Sequence, residues 1–289
     1  EPTLHDLTKR GQCRCILGLR DILDDPDTVT REWRTMESES AIIEHYHGIW
    51  VYGDPAVYDI AEEYGFSKEV RSKLVYTGYL ARPSGSSDCC DTARPAWAAK
   101  HFKTVLCTVG GGQDGAELAL AFADADLPSG YQGVILTGPF MPDHVQECLR
   151  RAAEIHPRLH IVPFVTEPDR FLRYADRIIT MGGYNSTCEA LRTGNPTLIV
   201  PRTKPRREQA IRAERLRDMG LVDLLYPDEL TPGALTKWIA HDAQTSRASA
   251  PRLDWSGLAR MPDLLDELYL KRSEPCLCHH REKLNHVRI

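Results

Sequence analysis

The stretch YADRIITMGGYNSTCEALRTGNPTLIVP, residues 174–201, decides the fold class. It opens with the apolar run RIIT, which is typical of a buried strand, and continues into the pair Gly182 and Gly183. The polar letters NST then begin a helix, which Gly194 ends before a second apolar run. Strand, glycine turn, helix and strand in this order predict a βαβ unit with parallel strands.

The same alternation continues on both sides of this stretch. Apolar strands are predicted at KTVLCTVGG (103–111), GVILTG (133–138), LHIVPF (159–164), RIITMGG (177–183), PTLIVP (196–201) and LVDLLYP (221–227). Helices are predicted between them, at 115–124, 143–154, 168–175, 186–193, 206–219 and 232–241. We therefore predict an α/β fold with one complete, doubly wound, Rossmann-like domain.

The first third of the chain shows a shorter version of the pattern. Strands are predicted at 13–18, 48–55 and 73–80, with a helix over 28–46 capped by Thr28 and another begun by Pro55. The segment ARPSGSSDCCDTARP (81–95) is rich in Ser, Gly, Pro and Asp and is predicted to link two domains. The expected divisions are residues 1–82, residues 83–255, and a last helix with a polar tail at 256–289.

Charge and composition exclude several classes of protein. The chain has 289 residues, 42% of them hydrophobic, and a net charge of −5, which argues against a nucleic-acid binder that uses bulk positive charge. No apolar run reaches the roughly 18–20 residues of a transmembrane helix, so only peripheral membrane contact stays open. Nine scattered cysteines favour free thiols in the cytoplasm. Neither Cys89–Cys90 nor CLCHH (276–280) has the spacing of a structural zinc site.

Two glycine turns at strand ends are candidate phosphate sites. GGGQDG (110–115) follows one predicted strand and Gly182–Gly183 follows another, and each turn leads into a helix. Glycine lets the backbone approach an anion closely, and the free N–H groups of a helix start attract negative charge. Asp114 either places a negative charge beside the first turn, which counts against an anion there, or serves as a helix cap. Because parallel strands end at one edge of the sheet, the two turns are expected to face each other.

Charged residues after these turns allow two interpretations. Glu189, in the first turn of its predicted helix, is either a surface acid that complements the helix dipole or a carboxylate for ribose hydroxyls. Glu208 and Arg212 are predicted to form a surface ion pair four residues apart. The alternative places part of this segment at the rim of a ligand cleft, namely Arg202, Lys204, Arg206 and Gln209, of which Gln209 is the favoured one.

Five motifs in order carry a family resemblance: TVGGGQDG (108–115), VILTGP (134–139), VPFV (162–165), the stretch 174–201 and EQAIRAERLRDMG (208–220). Together they resemble the C-terminal half of GT-B glycosyltransferases, most closely family 28. That family includes the bacterial enzyme that adds N-acetylglucosamine to a lipid-linked cell-wall precursor. The resemblance covers about residues 83–242. Within the family, GLRDILDDP (18–26), VYGDP (51–55) and YTGYL (76–80) also fit a group of predicted glycosyltransferases.

The resemblance implies a site for a nucleotide-diphosphate sugar, with uridine as the expected base. It implies that Gly111, Gly112 and Gln113 line the diphosphate, that Phe164 and Val165 contact the base, and that Gly183, Asn185, Ser186 and Thr187 form a second phosphate wall. Glu189 is implied to hold the ribose and Gln209 the donor sugar. No cofactor and no metal are implied. Three positions depart from the family pattern, namely Gly112, which is usually serine, Met181 and Arg212.

The resemblance also implies an N-terminal acceptor domain of roughly 150 residues, whereas only about 82 residues precede the predicted linker here. We therefore expect a truncated N-terminus, with the second half of one Rossmann-like domain followed by a complete one. No catalytic base is assigned, because His5, His45 and His47 do not fit the family's glycine-rich loop. The expected function is transfer of a hexosyl group from the donor to an unidentified acceptor. The alternatives are a donor-binding subunit that pairs with a separate N-terminal-domain chain, and a GT-B nucleotide-sugar epimerase or hydrolase.

Overall fold

The computed structural model describes residues 3–4, 6–7, 13–80, 98, 101–165, 169–241 and 252–270. The predicted linker, with Cys89 and Cys90, and the polar tail with CLCHH lie outside the described residues. The domain divisions at 82/83 and 255/256 therefore stay predictions. None of the described helices is both long and apolar enough to cross a lipid bilayer.

Residues 13–80, which we name the N-terminal unit, carry a three-stranded parallel sheet. Its strands are β1 (Ile16–Arg20), β2 (Gly48–Tyr52) and β3 (Leu74–Tyr76), in the order β1-β2-β3. Four helices connect them: α1 (Pro26–Thr35), α2 (Ser38–His45), α3 (Ile60–Glu63) and α4 (Lys68–Arg71). All three predicted strands are present. The central strand β2 is buried, with Ile49 and Val51 fully enclosed, and the side chains of Leu17, Leu19 and Leu74 from the flanking strands are partly buried against the same core.

Two helix predictions in this unit are wrong. The predicted helix over 28–46 is broken at Glu37, whose φ of 51° lies in the left-handed region and separates α1 from α2. Asp25 rather than Thr28 caps α1, because the Asp25 carboxylate accepts a hydrogen bond from the Thr28 N–H at 3.0 Å. Pro55 lies in a turn, and the next helix begins only at Ile60, after the capping carboxylate of Asp59.

A six-stranded parallel sheet forms the rest of the structure and confirms the doubly wound α/β prediction. Its strands are β4 (Lys103–Thr108), β5 (Tyr131–Leu136), β6 (Leu159–Val162), β7 (Arg177–Thr180), β8 (Thr197–Ile199) and β9 (Asp223–Leu224). They lie in the order β6-β5-β4-β7-β8-β9. The chain builds outward from β4 to one edge and then returns to place β7 on the other side. The crossover direction therefore reverses between β4 and β7, where open α/β sheets bind ligands.

Helices cover both faces of this sheet. They are α5 (Ala116–Ala123), α6 (Asp143–Ile155), α7 (Asp169–Leu172), α8 (Tyr184–Thr193), α9 (Glu208–Asp218) and α10 (Pro232–Ala240). The last described helix, α11 (Gly257–Leu270), instead begins against the N-terminal unit, where the Arg260 guanidinium donates to the Thr77 carbonyl. One core packs β4 and β5 against α5, α6 and α10, and a second packs the opposite face against α7 and α8. Strands buried on both faces appear in sequence as continuous apolar runs, which is why their positions were predictable.

The N-terminal unit and the six-stranded sheet share a core. Helix α9 contributes Ile211 to the core of the N-terminal unit, while its Leu216 packs in a cluster with Tyr79. After the larger sheet, the C-terminal segment returns to the N-terminal unit, where the Tyr79 N–H donates to the Asp254 carbonyl at 2.8 Å. Gly257 lies so close to Tyr79 that an added Cβ would stand 2.6 Å from its carbonyl oxygen. These contacts hold the segment after β3 against the larger sheet and the start of α11.

Candidate functional site

A cavity of about 410 Å³ opens at the carboxyl ends of β4, β5, β6 and β7. It therefore lies at the reversal point of the sheet, as expected for a ligand site in this architecture. It is lined by Arg20, Thr108, Gly110, Gly111, Leu136, Gly138, Pro139, Pro163, Phe164, Val165, Gly183, Tyr184, Asn185, Ser186 and Glu189. The two glycine turns predicted to face each other thus line one cavity.

The first turn owes its shape to glycines that interlock with the loop after β5. A Cβ added to Gly138 would lie 2.2 Å from the Gly110 carbonyl oxygen, and one added to Gly112 would lie 2.2 Å from the Thr137 carbonyl oxygen. Both glycines have positive φ, of 75° and 90° respectively. The Phe140 N–H closes the contact by donating to the Gly111 carbonyl at 2.8 Å. Only glycine permits this approach, which leaves the main chain of Gly110 and Gly111 facing the cavity.

The second turn delivers the start of α8 to the opposite wall. Gly183 stands at the N-cap of this ten-residue helix, and no side chain caps its first N–H groups. Ser186 Oγ donates to the Gly183 carbonyl at 3.2 Å, and the Thr187 N–H donates to the same oxygen at 2.9 Å. A helix start without a side-chain cap presents N–H donors and positive potential to a bound anion. Helix α8 begins at Tyr184, so Glu189 lies in its second turn and not, as predicted, its first.

Asp114 does not cap a helix, because helix α5 begins after Gly115 without a side-chain cap. Its carboxylate is instead paired with Arg202, whose Nη1 lies 2.9 Å from Asp114 Oδ2. The other guanidinium nitrogen of Arg202 lies 2.8 Å from Glu208 Oε1, and these hydrogen bonds raise the pKa of Arg202. The negative charge that the sequence places beside the first turn is thereby balanced by a cation.

The predicted surface pair of Glu208 and Arg212 is wrong. The Arg212 side chain is 2% exposed and is paired with Asp21 of the N-terminal unit, also 2% exposed. Nε and Nη2 of Arg212 bind the two carboxylate oxygens at 2.9 and 2.6 Å, and Nη1 donates to the Gly182 carbonyl at 2.8 Å. Burial alone would lower the pKa of Arg212, but the carboxylate of Asp21 outweighs it and holds the pKa above its usual value. This buried clamp ties the end of β1 to the second glycine turn.

Tyr184 connects the cavity to the N-terminal unit. Its ring lies 6.0 Å from that of Tyr79, the Arg212 guanidinium stands 5.9 Å above it, and its hydroxyl accepts a hydrogen bond from the Leu80 N–H at 3.1 Å. Burial raises the pKa of the Tyr184 hydroxyl, so it stays neutral at physiological pH. Another part of the cavity wall is apolar and includes Phe164 and Val165. The Phe164 side chain is 58% exposed, so its ring can stack on a flat ring of a ligand.

Seven of the eleven residues predicted for the site line the cavity: Gly111, Phe164, Val165, Gly183, Asn185, Ser186 and Glu189. The other four do not. Gly112 is buried in the packing of the first turn, and Gln113 is exposed beside it. Thr187 is buried within α8, and its hydroxyl has no hydrogen-bond partner among the described residues. Gln209 accepts a hydrogen bond from the Arg202 N–H at 3.2 Å and so positions the loop after β8.

Sequence reasoning missed several lining residues, and Arg20 is the most informative of them. Arg20 ends β1 and reaches the cavity from the N-terminal unit. It lies 88 positions before Thr108, the next lining residue in the sequence. The sequence did indicate this position, because Arg20 follows a predicted parallel strand and ligands bind at the carboxyl ends of such strands. Within the described ranges, no group of three His, Cys, Asp or Glu side chains is arranged to hold a metal ion.

Comparison with known proteins identifies the larger sheet. Residues 105–268, more than half of the chain, match the model of the glycosyltransferase family 28 C-terminal domain. The chain is 27% identical over 173 residues to the UDP-N-acetylglucosamine–N-acetylmuramyl-(pentapeptide) pyrophosphoryl-undecaprenol N-acetylglucosamine transferase of Leuconostoc citreum, covering 58% of this chain and 47% of that protein. It is 38% identical over 69 residues to the NDP-glycosyltransferase YjiC of Bacillus licheniformis, covering 24% of this chain and 17% of that protein.

Solved structures show the same fold at lower identity. The calicheamicin glycosyltransferase CalG4 aligns with a TM-score of 0.57 and 21% identity, over 86% of this chain and 61% of that one. The UDP co-structure of S. aureus MnaA aligns with a TM-score of 0.61 and 15% identity, over 94% of this chain and 78% of that one. The chain spans about half the length of the transferase from Leuconostoc citreum, so it represents part of such a protein's length.

Proposed function

The chain belongs to glycosyltransferase family 28 by its C-terminal domain, and we propose that it binds a nucleotide-diphosphate sugar for transfer of a hexosyl group. The observation that carries this proposal is the cavity, where two glycine turns and the start of α8 meet at the carboxyl edge of a doubly wound sheet. Backbone N–H groups held this way favour a diphosphate. The match to glycosyltransferases supports the reaction class.

Each part of the cavity suits one part of such a donor. The diphosphate would lie between the main chain of Gly110–Gly111 and the start of α8, with Asn185 and Ser186 beside it. The base would pack on Phe164 and Val165 across the apolar wall, and uridine is the base we propose. Glu189 is the one carboxylate among the described lining residues, and it would accept the ribose hydroxyls.

The proposed chemistry needs a stabilised leaving group. In the transfer, the bond between the anomeric carbon and the β-phosphate oxygen breaks and its electron pair stays with the diphosphate. The acceptor oxygen bonds to the carbon, and its proton is released to the solvent. N–H donors and the dipole of α8 would lie where that negative charge develops, and donors that need no reorganisation lower the barrier.

A cytoplasmic location belongs to the proposal and is supported by the free thiols of Cys13, Cys15, Cys107, Cys148 and Cys188.

The test is a calorimetric titration of the 289-residue chain with UDP, together with the variant Glu189→Ala. Loss of hydrogen bonds to a charged acceptor costs about 1.5–3 kcal/mol, so we expect roughly 10- to 100-fold weaker binding. The matched control is Glu117→Ala, an exposed acid of α5 outside the cavity lining, which is expected to keep the affinity of the parent chain.

A second ligand makes the assignment of Glu189 specific. With 2′,3′-dideoxy-UDP, which lacks the ribose hydroxyls, the parent chain and Glu189→Ala are expected to bind equally. Equal affinity of the two proteins for UDP itself would overturn the ribose assignment. Absence of binding by the parent chain to every nucleoside diphosphate offered would overturn the proposed function.

A further inference from the structure

Arg20 contributes the one cationic side chain among the described residues that line the cavity. It stands at the carboxyl end of β1, paired in register with Tyr52 of β2, and it is exposed. The other lining residue that carries a charge is Glu189. The cavity thus holds one cation from the N-terminal unit and one carboxylate from the larger sheet.

Three arginines of the larger sheet's side are paired with carboxylates, whereas no ion pair of Arg20 is found within the described part of the chain. Among the described residues, Arg202 is paired with Asp114 and Glu208, Arg206 with Asp24 and Glu32, and Arg212 with Asp21. No described carboxylate lies within ion-pair distance of the Arg20 guanidinium. A guanidinium at the wall of this cavity that has no ion-pair partner among the described residues can pair with an anionic ligand.

The position of Arg20 is fixed by its neighbour in sequence. Asp21 forms the buried clamp with Arg212, and Arg212 in turn binds the carbonyl of Gly182. The main chain next to Arg20 is therefore held against the second glycine turn, which carries Gly183 at the N-cap of α8. Further along, the Arg207 N–H donates to Asp24 Oδ1 at 2.7 Å and secures the same stretch of the N-terminal unit.

We propose that Arg20 binds the diphosphate of the donor from the N-terminal unit, and that the clamp of Asp21 and Arg212 positions it. The proposal rests on the proposed function, because it concerns the same cavity. It gives the N-terminal unit a direct part in donor binding. Arg20 lies outside residues 105–268, the range that matches the family 28 C-terminal domain, so that domain alone lacks this positive charge. Guanidinium binds phosphate oxygens in a planar, bidentate geometry that an ammonium cannot reproduce.

The experiment compares Arg20→Ala and Arg20→Lys with the parent chain by calorimetry, using the nucleoside diphosphate that the parent binds most tightly among UDP, dTDP, GDP, ADP and CDP. We expect about tenfold weaker binding or worse for Arg20→Ala and an intermediate affinity for Arg20→Lys. Binding of the corresponding nucleoside, which has no phosphate, is expected to change less than about twofold. The matched control is Arg34→Ala, which removes the same charge from the exposed last turn of α1 and is expected to leave both affinities unchanged.

Each outcome decides the proposal. Unchanged diphosphate affinity in Arg20→Ala overturns it, and so does an equal loss for nucleoside and diphosphate, which would mean a distorted cavity. A parent chain that binds no nucleoside diphosphate overturns the proposed function and this inference together. Because Arg20 is exposed and has no ion pair with any residue that the structure describes, the thermal unfolding midpoint of Arg20→Ala without ligand should match the parent, and a large drop would contradict the placement of Arg20.

Discussion

Removing the carboxylate of Asp21 is expected to destabilise the protein far more than removing an exposed acid. Asp21 and Arg212 are each 2% exposed, and the guanidinium makes two hydrogen bonds to the carboxylate. In Asp21→Ala, Arg212 keeps its charge inside the protein with the Gly182 carbonyl as its only described hydrogen-bond partner and no described counter-ion. Breaking a buried pair by deleting one member costs about 3–5 kcal/mol, because the remaining charge has lost its water and its counter-ion.

Urea unfolding followed by circular dichroism measures this difference directly. The matched control is Asp218→Ala, whose partner Arg217 is 45% exposed and whose own side chain is 62% exposed. An exposed pair contributes about 0–1 kcal/mol, so the control is expected to unfold close to the parent. The midpoint for Asp21→Ala should lie well below both, with similar slopes of the transition.

A double variant separates the lost pair from a lost contact. Asp21→Asn with Arg212→Met removes both charges and keeps an unbranched side chain in the space of the guanidinium. It is expected to be more stable than either single variant, because neither charge remains buried alone. If Asp21→Ala unfolds with the same midpoint as Asp218→Ala, the clamp does not join the two units as the structure describes.

Three further outcomes follow from the same structure. Gly138→Ala should lose about 2 kcal/mol or more and the ability to bind a nucleoside diphosphate, because its Cβ would lie 2.2 Å from the Gly110 carbonyl oxygen at a φ of 75°. Gly130→Ala, with a φ of 80° but open space around the Cβ, should lose only about 1 kcal/mol, and equal effects would refute the interlocked turn. Burial and the charges of Arg14 and Lys73 lower the pKa of His47 from 6.5, so an NMR titration should place it below that value. The unfolded chain then binds a proton at His47 at a higher pH than the folded protein does, so the free energy of unfolding should decrease as the pH drops below 6.5. In His47→Gln, which lacks this proton-binding group, the decrease should be smaller.

Local rules predicted most of the larger sheet and part of the site. Buried parallel strands appear as apolar runs, and the glycine turns follow them directly, so the RIIT strand and Gly183 were found from the sequence. The break at Glu37 was missed, because Met36 and Glu37 are themselves good helix formers and a glutamate rarely adopts a left-handed φ.

Contacts between distant segments could not be predicted in the same way. Arg212 and Glu208 satisfy the spacing of a helical ion pair, yet Arg212 pairs with Asp21, 191 residues away, because only the folded chain brings β1 beside α9. For Arg20, its position at the end of a predicted parallel strand was a signal, but its place in the cavity depends on how the N-terminal unit packs on the larger sheet. Gln209 was predicted to contact the donor sugar, and the structure shows it binding the main chain of Arg202.

Binding of a diphosphate between the two glycine turns can be followed by NMR of the chain labelled with ¹⁵N-glycine, titrated with UDP and, in parallel, with uridine. UDP is expected to shift the amide signals of Gly110, Gly111 and Gly183, which line the cavity, and to leave those of Gly130 and Gly220 unchanged. Uridine should perturb the lining glycines far less, because it lacks the diphosphate. UDP that binds without shifting the lining glycines, or that shifts none of the labelled glycines, would show that the diphosphate does not bind between these turns.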